Sequence, residues 1–405
     1  MRRDPGGLGP PRLLDTGTET MTIPAFESFL RQIKINLWLV GIPYGNPKIY
    51  PRFYIMVFLL TLMVTSETVF FVAKISSENF LELTQLAPCI CVGVLSILKF
   101  LVIAMKRNKV FELTETLGEL YQKILQDQRK KELVRKDLML VDFLMKYFFV
   151  LNLILISVYN FSTPVLMLYR FIANGEVVFL LPYAVLLPFS TDSWLPWTVV
   201  YAGSITCGFI CVLYYTVTDG LYFVLTSHVC SHFSVISDTV KRLDTARVDC
   251  LGDIVKNHQY VLSLGEALED IFTVPNFLIV LVGSVEICAL GFNLMNGSWV
   301  QTPGCALFLL SVLLQIFMMS MFGENIIRES SKIGEAAFLC KWYEMDKKSK
   351  KTILIIMIRS QKPQHLTAYK FSTISYSSFT KIISTSWSYF TILRTVYALP
   401  EVVEM

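Results

Sequence analysis

The sequence predicts an all-α polytopic membrane protein with seven transmembrane helices, a cytoplasmic amino terminus, an extracellular carboxyl terminus and a cytoplasmic helical anchor. Three observations predict it. Of 405 residues, 54% are hydrophobic and only 17% charged, against about 25% charged in an ordinary soluble domain. The apolar residues gather into seven long runs instead of spreading periodically, and "FYIMVFLLTLMVTSETVFFVA" (Phe53–Ala73) has the about 20 helical residues that a hydrocarbon core of about 30 Å requires. Finally, 31 of the 36 Lys and Arg fall in alternate connecting segments, which marks those segments as cytoplasmic.

Taken in order, residues 1–52 form a cytoplasmic tail and an amphipathic helix. The opening "MRRDPGGLGPPRLLDTGTET" has basic residues but no apolar core, so it reads as a disordered tail and not a signal peptide, with Met21 as a second candidate start. "FESFLRQIKINLWLVGI" follows as the amphipathic helix, with a Pro/Gly turn at its end. Residues 53–225 hold spans 1–4, centred on Phe53–Ala73, Leu83–Met105, Lys146–Leu168 and Trp197–Leu225. The loop 106–146 carries 10 Lys and Arg in alternating charge, which extends the second and third helices into water. Residues 226–273 are a cytoplasmic helical segment, and 274–322 hold spans 5 and 6 (Val274–Met295 and Gly304–Phe322). Residues 323–376 are anchor helices; "TILIIMI" (Thr352–Ile358) is too short to cross and reads as the apolar core of a packed helix beginning near Phe338. Residues 377–405 are the seventh span, Phe379–Leu399, and a short extracellular tail.

The seventh span carries its own pattern. Ser384, Ser388, Thr391 and Thr395 recur at spacings of 4, 3 and 4, which puts all four on one helical face. Single hydroxyls in membranes serve helix packing; four in register suit an aqueous path, with Ile392 and Val396 as an apolar pair one turn apart that closes by dewetting. Among charges inside spans, Lys99 and Asp219 lie toward inner ends within reach of the interface. Glu67 is a further one, and Glu286, near mid-span, is the candidate functional buried carboxyl. The outer halves of spans 2 to 6 offer Leu86, Ile90, Ser157, Phe161, Pro164, Tyr201, Ser204, Gly291, Met295 and Phe308, a mostly apolar set with few polar groups that suits a small hydrophobic ligand. For any one of them, ordinary helix packing is the stronger explanation.

Other motifs add little chemistry. "HVCSH" (His228–His232) supplies too few ligands for zinc. No phosphate loop, nucleophile elbow or zincin motif supports an enzyme, and neither a cofactor nor a nucleic-acid partner is expected. The nine cysteines form no disulfide framework. Trp194, Trp197 and Trp299 mark outer span ends; the sequon at Asn296 lies in an outer loop close to the membrane, and that at Asn160 inside a span.

The stretch "CKWYEMDKKSKKTILIIMIRSQKPQHLTAYKFSTISYSSFTKIISTSWSYFTILR" resembles the end of an insect odorant receptor, with "WY...D", "IRSQKP" and "SYF..LR" in that family's order and spacing. The early "LR...INLWLVGIP" agrees more weakly. The resemblance implies an odour-tuned subunit of a ligand-gated, non-selective cation channel, a heterotetramer with a shared co-receptor in the plasma membrane of olfactory sensory neurons. It implies gate positions at Ile392 and Val396 with Thr395 as a polar neighbour, an anchor over Asp219–Asp270 and Asn325–Lys370, and a small volatile hydrophobic ligand in the outer half of spans 2 to 6. Trp387 is larger than the family's usual residue, and the 20-residue opening is unusual. A gustatory-type channel shares the architecture but ends on a different motif, and a metabotropic seven-helix receptor would place the amino terminus outside.

Overall fold

The architecture follows from a computed structural model, which describes residues 23–45, 48–75, 80–175, 177–296 and 302–403. The opening stretch with Met21, Gly297 and Ser298 of the sequon at Asn296, and Trp299 lie outside the described residues. Helix α1 (Phe26–Val40) buries Phe26, Phe29, Leu30, Ile33, Leu37 and Val40, an apolar stripe at helical spacing. It stops at Gly41 in the left-handed region (φ 98°), whose N–H caps Leu37 and Trp38. A Cβ on Gly41 would come within 2.9 Å of the Phe53 backbone nitrogen, so only glycine admits the turn into α2.

Helix α2 (Pro51–Ala73) starts with proline at its first turn, where the missing N–H costs nothing. It buries only Phe53, Leu60, Val64 and Glu67 and turns Tyr54, Ile55, Phe58 and Leu62 away from the bundle. Helix α3 (Phe80–Met105) stops at Lys106, and α4 (Arg107–Leu125) begins after that one-residue break. The charged loop therefore holds a separate amphipathic helix rather than a continuation of the second span. Helix α5 (Gln128–Asn174) is opened by Asp127, whose carboxylate accepts from the Arg129 and Lys130 amides at 3.0 and 3.4 Å. At 47 residues α5 extends about 70 Å, and α6 (Trp194–Lys241), α7 (Leu251–Asn296) and α8 (Thr302–Leu339) also outrun a bilayer core. The divisions at 225/226, 273/274 and 322/323 thus fall inside unbroken helices.

Among the described residues six helices, α2, α3, α5, α6, α7 and α8, are long and apolar enough to cross a membrane. Helix α10 (Tyr376–Val403) is long enough at 28 residues, and its hydroxyls make it less apolar. At one end of the bundle, here the anchor end, α1, α4 and the long helices are joined by α9 (Lys347–Ser360). Its N-cap is Asp346, so α9 begins there and not near Phe338, which belongs to α8. A hairpin, β1 (Thr367–Ala368) and β2 (Ser372–Thr373), leads into α10. Its turn holds Tyr369 and Lys370 at positive φ (49° and 62°), which costs roughly 1–2 kcal/mol per residue. Glu269 of α7 accepts from the Thr367 amide at 2.8 Å and from its hydroxyl, and Thr273 takes the Tyr369 amide. These bonds hold the strained turn. Gly323 of α8 leaves room for the hairpin, because a Cβ there would stand 2.5 Å from the Ile374 carbonyl oxygen.

Helix α6 is the axis of the molecule. Every residue from Tyr214 to Phe233 is buried, and α1, α2, α3, α4, α5, α7 and α8 all pack against it. Several of its hydroxyls are satisfied within the helix, with Thr216, Ser227 and Ser231 each donating to the carbonyl four residues back, while Tyr222 donates to the Met319 carbonyl of α8. Asp219 is satisfied from outside: Lys99 of α3 pairs with Oδ1, and Gln315 of α8 donates to Oδ2 at 2.6 Å. Lys99 is 0% exposed and Asp219 4%. These two charges do not reach an interface as the sequence suggests; each is the other's partner. The Lys99 ammonium also lies 4.7 Å from the Tyr215 ring centre.

Where α1 docks, beyond the Trp197–Leu225 span, His228 is boxed edge-on by Phe26, Phe29 and Tyr121 at 4.7, 5.3 and 5.1 Å, and neither ring nitrogen finds a partner. Burial pushes its pKa down to about 3, with His232 adding to the effect.

Two predictions arise. Removing one member of a buried ion pair costs about 3–5 kcal/mol, because it strands the other charge. K99M should therefore lose most folded protein on size-exclusion of the detergent extract, and K99M/D219N, which keeps an acceptor for Gln315, should recover it. Docking of α1 needs a neutral His228, whose docked pKa lies below the free value. Docking strength should be full above about pH 6.5 and weaken below it, by about 2 kcal/mol at pH 5. The thermal midpoint should fall accordingly between pH 7 and 5, and H228L should flatten that fall.

Candidate functional site

Two regions concentrate the residues singled out from the sequence. The first is α10. It is capped by a reciprocal pair in which Ser375 and Ser378 exchange side-chain and backbone bonds at 2.9 and 3.3 Å, and the Tyr376 amide donates to Glu324 of α8. Ser378, Ile382, Ser386 and Phe390, each four residues apart, are buried against the bundle. Ser386 donates to the Ser284 carbonyl of α7 at 3.2 Å, Phe390 packs on Cys288 and Phe292, and a Cβ on Gly291 would stand 3.8 Å from the Phe390 ring.

Ser384, Ser388, Thr391 and Thr395 occupy the opposite face, and all four are exposed. Three hydroxyls donate back to their own helix: Ser388 to Ser384, Thr391 to Ser388 and Thr395 to Thr391, at 3.0, 2.7 and 2.9 Å. Ile392 is 58% exposed beside this stripe. The side chain of Val396 lies outside the described residues. Trp387 is also exposed and touches Phe390 at 5.1 Å between ring centres, so its bulk meets little else in the single chain.

The second region is the loop end, opposite the anchor, where α5 and α6 are joined by residues 177–193. Tyr201 donates to the Asn160 carbonyl at 3.1 Å and stacks on Trp197 at 4.8 Å, and Ser204 is buried one turn further along. Leu86, Ile90, Ser157, Pro164 and Phe308 are half-buried; Ser157 spends its hydroxyl on the Leu153 carbonyl. Phe161 and Met295 are half exposed or more, and Gly291 faces α10. The ten pocket candidates thus differ widely in exposure, from buried Ser204 to Met295 at 56%. Asn160, Tyr159 and Tyr183, which the sequence did not single out as ligand residues, form the denser group beside Tyr201.

Buried carboxyls complete the inventory. Glu286 is 1% exposed and Glu67 4%, and in each Oε1 has no partner. Near them Thr84 of α3 and Asn293 of α7 exchange two hydrogen bonds at 2.8 and 2.7 Å. A small cavity between α6, α7 and α8 is lined by Thr218, Asp219, Asn276 and Gln315, and none of the ten pocket candidates lines it. All nine cysteines are free thiols.

Comparison with known proteins gives a consistent result. The profile of the 7tm odorant receptor family matches residues 79–387, more than half of the chain. The putative odorant receptor 92a of Drosophila melanogaster is 28% identical over 363 residues, covering 85% of this chain and 88% of the relative. Odorant receptor 67c of the same organism is 26% identical, covering 83% of this chain and 86% of the relative. Among solved structures, the insect olfactory receptor OR5 from Machilis hrabei in complex with eugenol superposes with a TM-score of 0.73 at 15% identity, covering 92% of this chain and 98% of that one. At that identity the likeness speaks for the fold. The chain belongs to the seven-transmembrane odorant receptor family, a family of receptors and not of enzymes.

Proposed function

We propose that this odorant receptor is an odour-tuned subunit of a non-selective cation channel, assembled with the shared co-receptor as a heterotetramer in the plasma membrane of olfactory sensory neurons. The observation that carries this reading is the two-sided α10. One face is packed through Ser378, Ile382, Ser386 and Phe390, and the diametrically opposite face presents a row of uncovered hydroxyls with Lys381 and Ile392 beside them. A lipid-facing helix gains nothing from a polar stripe, whereas one helix per subunit around an axis makes an aqueous path from four such stripes. Ile392 and Val396 act as the gate, with Thr395 as the polar neighbour. The split of Lys and Arg supports a cytoplasmic amino terminus and anchor. A small, neutral, hydrophobic volatile enters at the loop end, which is then extracellular, and its binding dilates the pore.

Voltage-clamp recording from cells expressing this chain with and without the co-receptor tests the reading. The expected result is a fast cation current that needs both chains and survives a block of G-protein signalling; a response that vanishes under the block overturns it. I392A and V396A should each raise the resting leak several-fold, since a shortened apolar ring holds water out less well. If both leave leak and evoked current at native values, the gate lies elsewhere.

A further inference from the structure

The segment 177–193 between α5 and α6 has no regular secondary structure, yet it is closely tied down. The Trp197 indole donates to the Leu180 carbonyl at 2.7 Å, and Ser66 of α2 donates to the Leu186 carbonyl at 3.0 Å. Phe179 packs edge-on to Trp194 at 5.2 Å. Tyr183 drops from this segment into the bundle, where it is 8% exposed and its hydroxyl donates to Asn160 Oδ1 at 3.0 Å.

The socket beneath Tyr183 is shaped for it. A Cβ on Gly208 of α6 would stand 2.6 Å from the phenol oxygen and 3.0 Å from Asn160 Nδ2, so any other residue on α6 would displace one or both. The Tyr159 ring lies 5.4 Å away, with its hydroxyl 3.1 Å from Cys89 Sγ. Asn160 is 0% exposed, Tyr183 has taken its Oδ1, and Nδ2 has no partner. A buried amide nitrogen without an acceptor costs about 1–3 kcal/mol, and native structures seldom leave one without a reason. Ser157 and Pro164 stand three residues before and four after Asn160 on the same helix, and Ser204 one turn before Gly208, so this socket adjoins the pocket candidates.

Because Nδ2 can only donate, the group that completes it is an acceptor. We propose that the Asn160 amide is the polar anchor of the ligand site and that this receptor is tuned to small volatiles carrying a carbonyl oxygen, such as ketones, esters or aldehydes, with Tyr183 as the loop-borne lid that yields to admit them. This rests on the reading of the chain as an odorant-gated subunit. A hydrocarbon of the same shape leaves Nδ2 unmet. An alcohol also satisfies it, but its hydroxyl hydrogen then has to compete with the Tyr183 phenol for Oδ1.

Two shape-matched series test this in cells expressing the full chain with its co-receptor: ethylbenzene, acetophenone and phenylethanol, and heptane, heptanone and heptanol. The ketone of at least one series should act at a half-activating concentration about tenfold below its hydrocarbon, the value of one neutral buried hydrogen bond. N160A should erase that advantage, bringing ketone and hydrocarbon of each series to the same potency whatever shift they share. Y183F frees Oδ1 and should improve the alcohol against the ketone. Equal potency of ketone and hydrocarbon in the native chain overturns the proposal, as does an N160A that weakens every compound alike. Where surface labelling shows that N160A is not delivered, Y183F decides: an unchanged order of alcohol and ketone overturns the proposal. A surface-expressed complex that answers none of the six compounds overturns it as well, and one that answers no odorant at all overturns the subunit reading beneath it.

Discussion

A carboxylate on a helix buried on every side has to be answered by name. Asp219 sits in the stretch of α6 that no solvent reaches, and an isolated charge there would cost many kcal/mol. Lys99 and Gln315 answer it from α3 and α8. Neither helix can slide along α6 by a turn without stranding a charge or an amide, so the triad sets the relative height of three membrane helices. Many of the remaining contacts along the buried stretch of α6 are apolar or made by hydroxyls bonded within the helix, which tolerate sliding better. At the buried centre of α6, register is therefore set by three polar side chains amid apolar packing that is largely non-directional.

The long spans were legible because hydropathy and length are local properties. The end of α1 at Gly41 and the N-cap at Asp127 were equally open to reading in principle, since each is a local signal. What stayed hidden depends on distance in sequence. Lys99 and Asp219 are 120 positions apart, and nothing around either says that the other exists. The hairpin before α10 was missed for another reason: its left-handed positions are Tyr369 and Lys370, where glycine or asparagine would have announced a turn. Its stability comes from Glu269 and Thr273 on α7, a tertiary cause. In the candidate site, the hydroxyl stripe of α10 was legible as a period. The Asn160 socket was not, because its lid comes from an irregular segment without periodicity.

Helix α7 joins the two regions. Toward α3 it exchanges bonds through Asn293 and Thr84; toward α10 it accepts from Ser386 and packs Cys288, Phe292 and Gly291 on Phe390. Its anchor-end half also holds the hairpin from which α10 springs. A tilt of α7 therefore moves α10 at both its root and its middle. Packed helices transmit such shifts because their interfaces have little free volume to absorb them.

The back-bonded hydroxyls of α10 have one more consequence. A serine or threonine that has given its hydrogen to its own helix carries little polar debt into hydrocarbon, yet keeps lone pairs for water. The same face can thus lie against lipid tails in a newly made, solitary chain and, in the proposed assembly, be wetted once neighbours enclose it. Under that proposal insertion and assembly become separable in time, and a subunit can wait in the bilayer for its companions without unravelling its last helix.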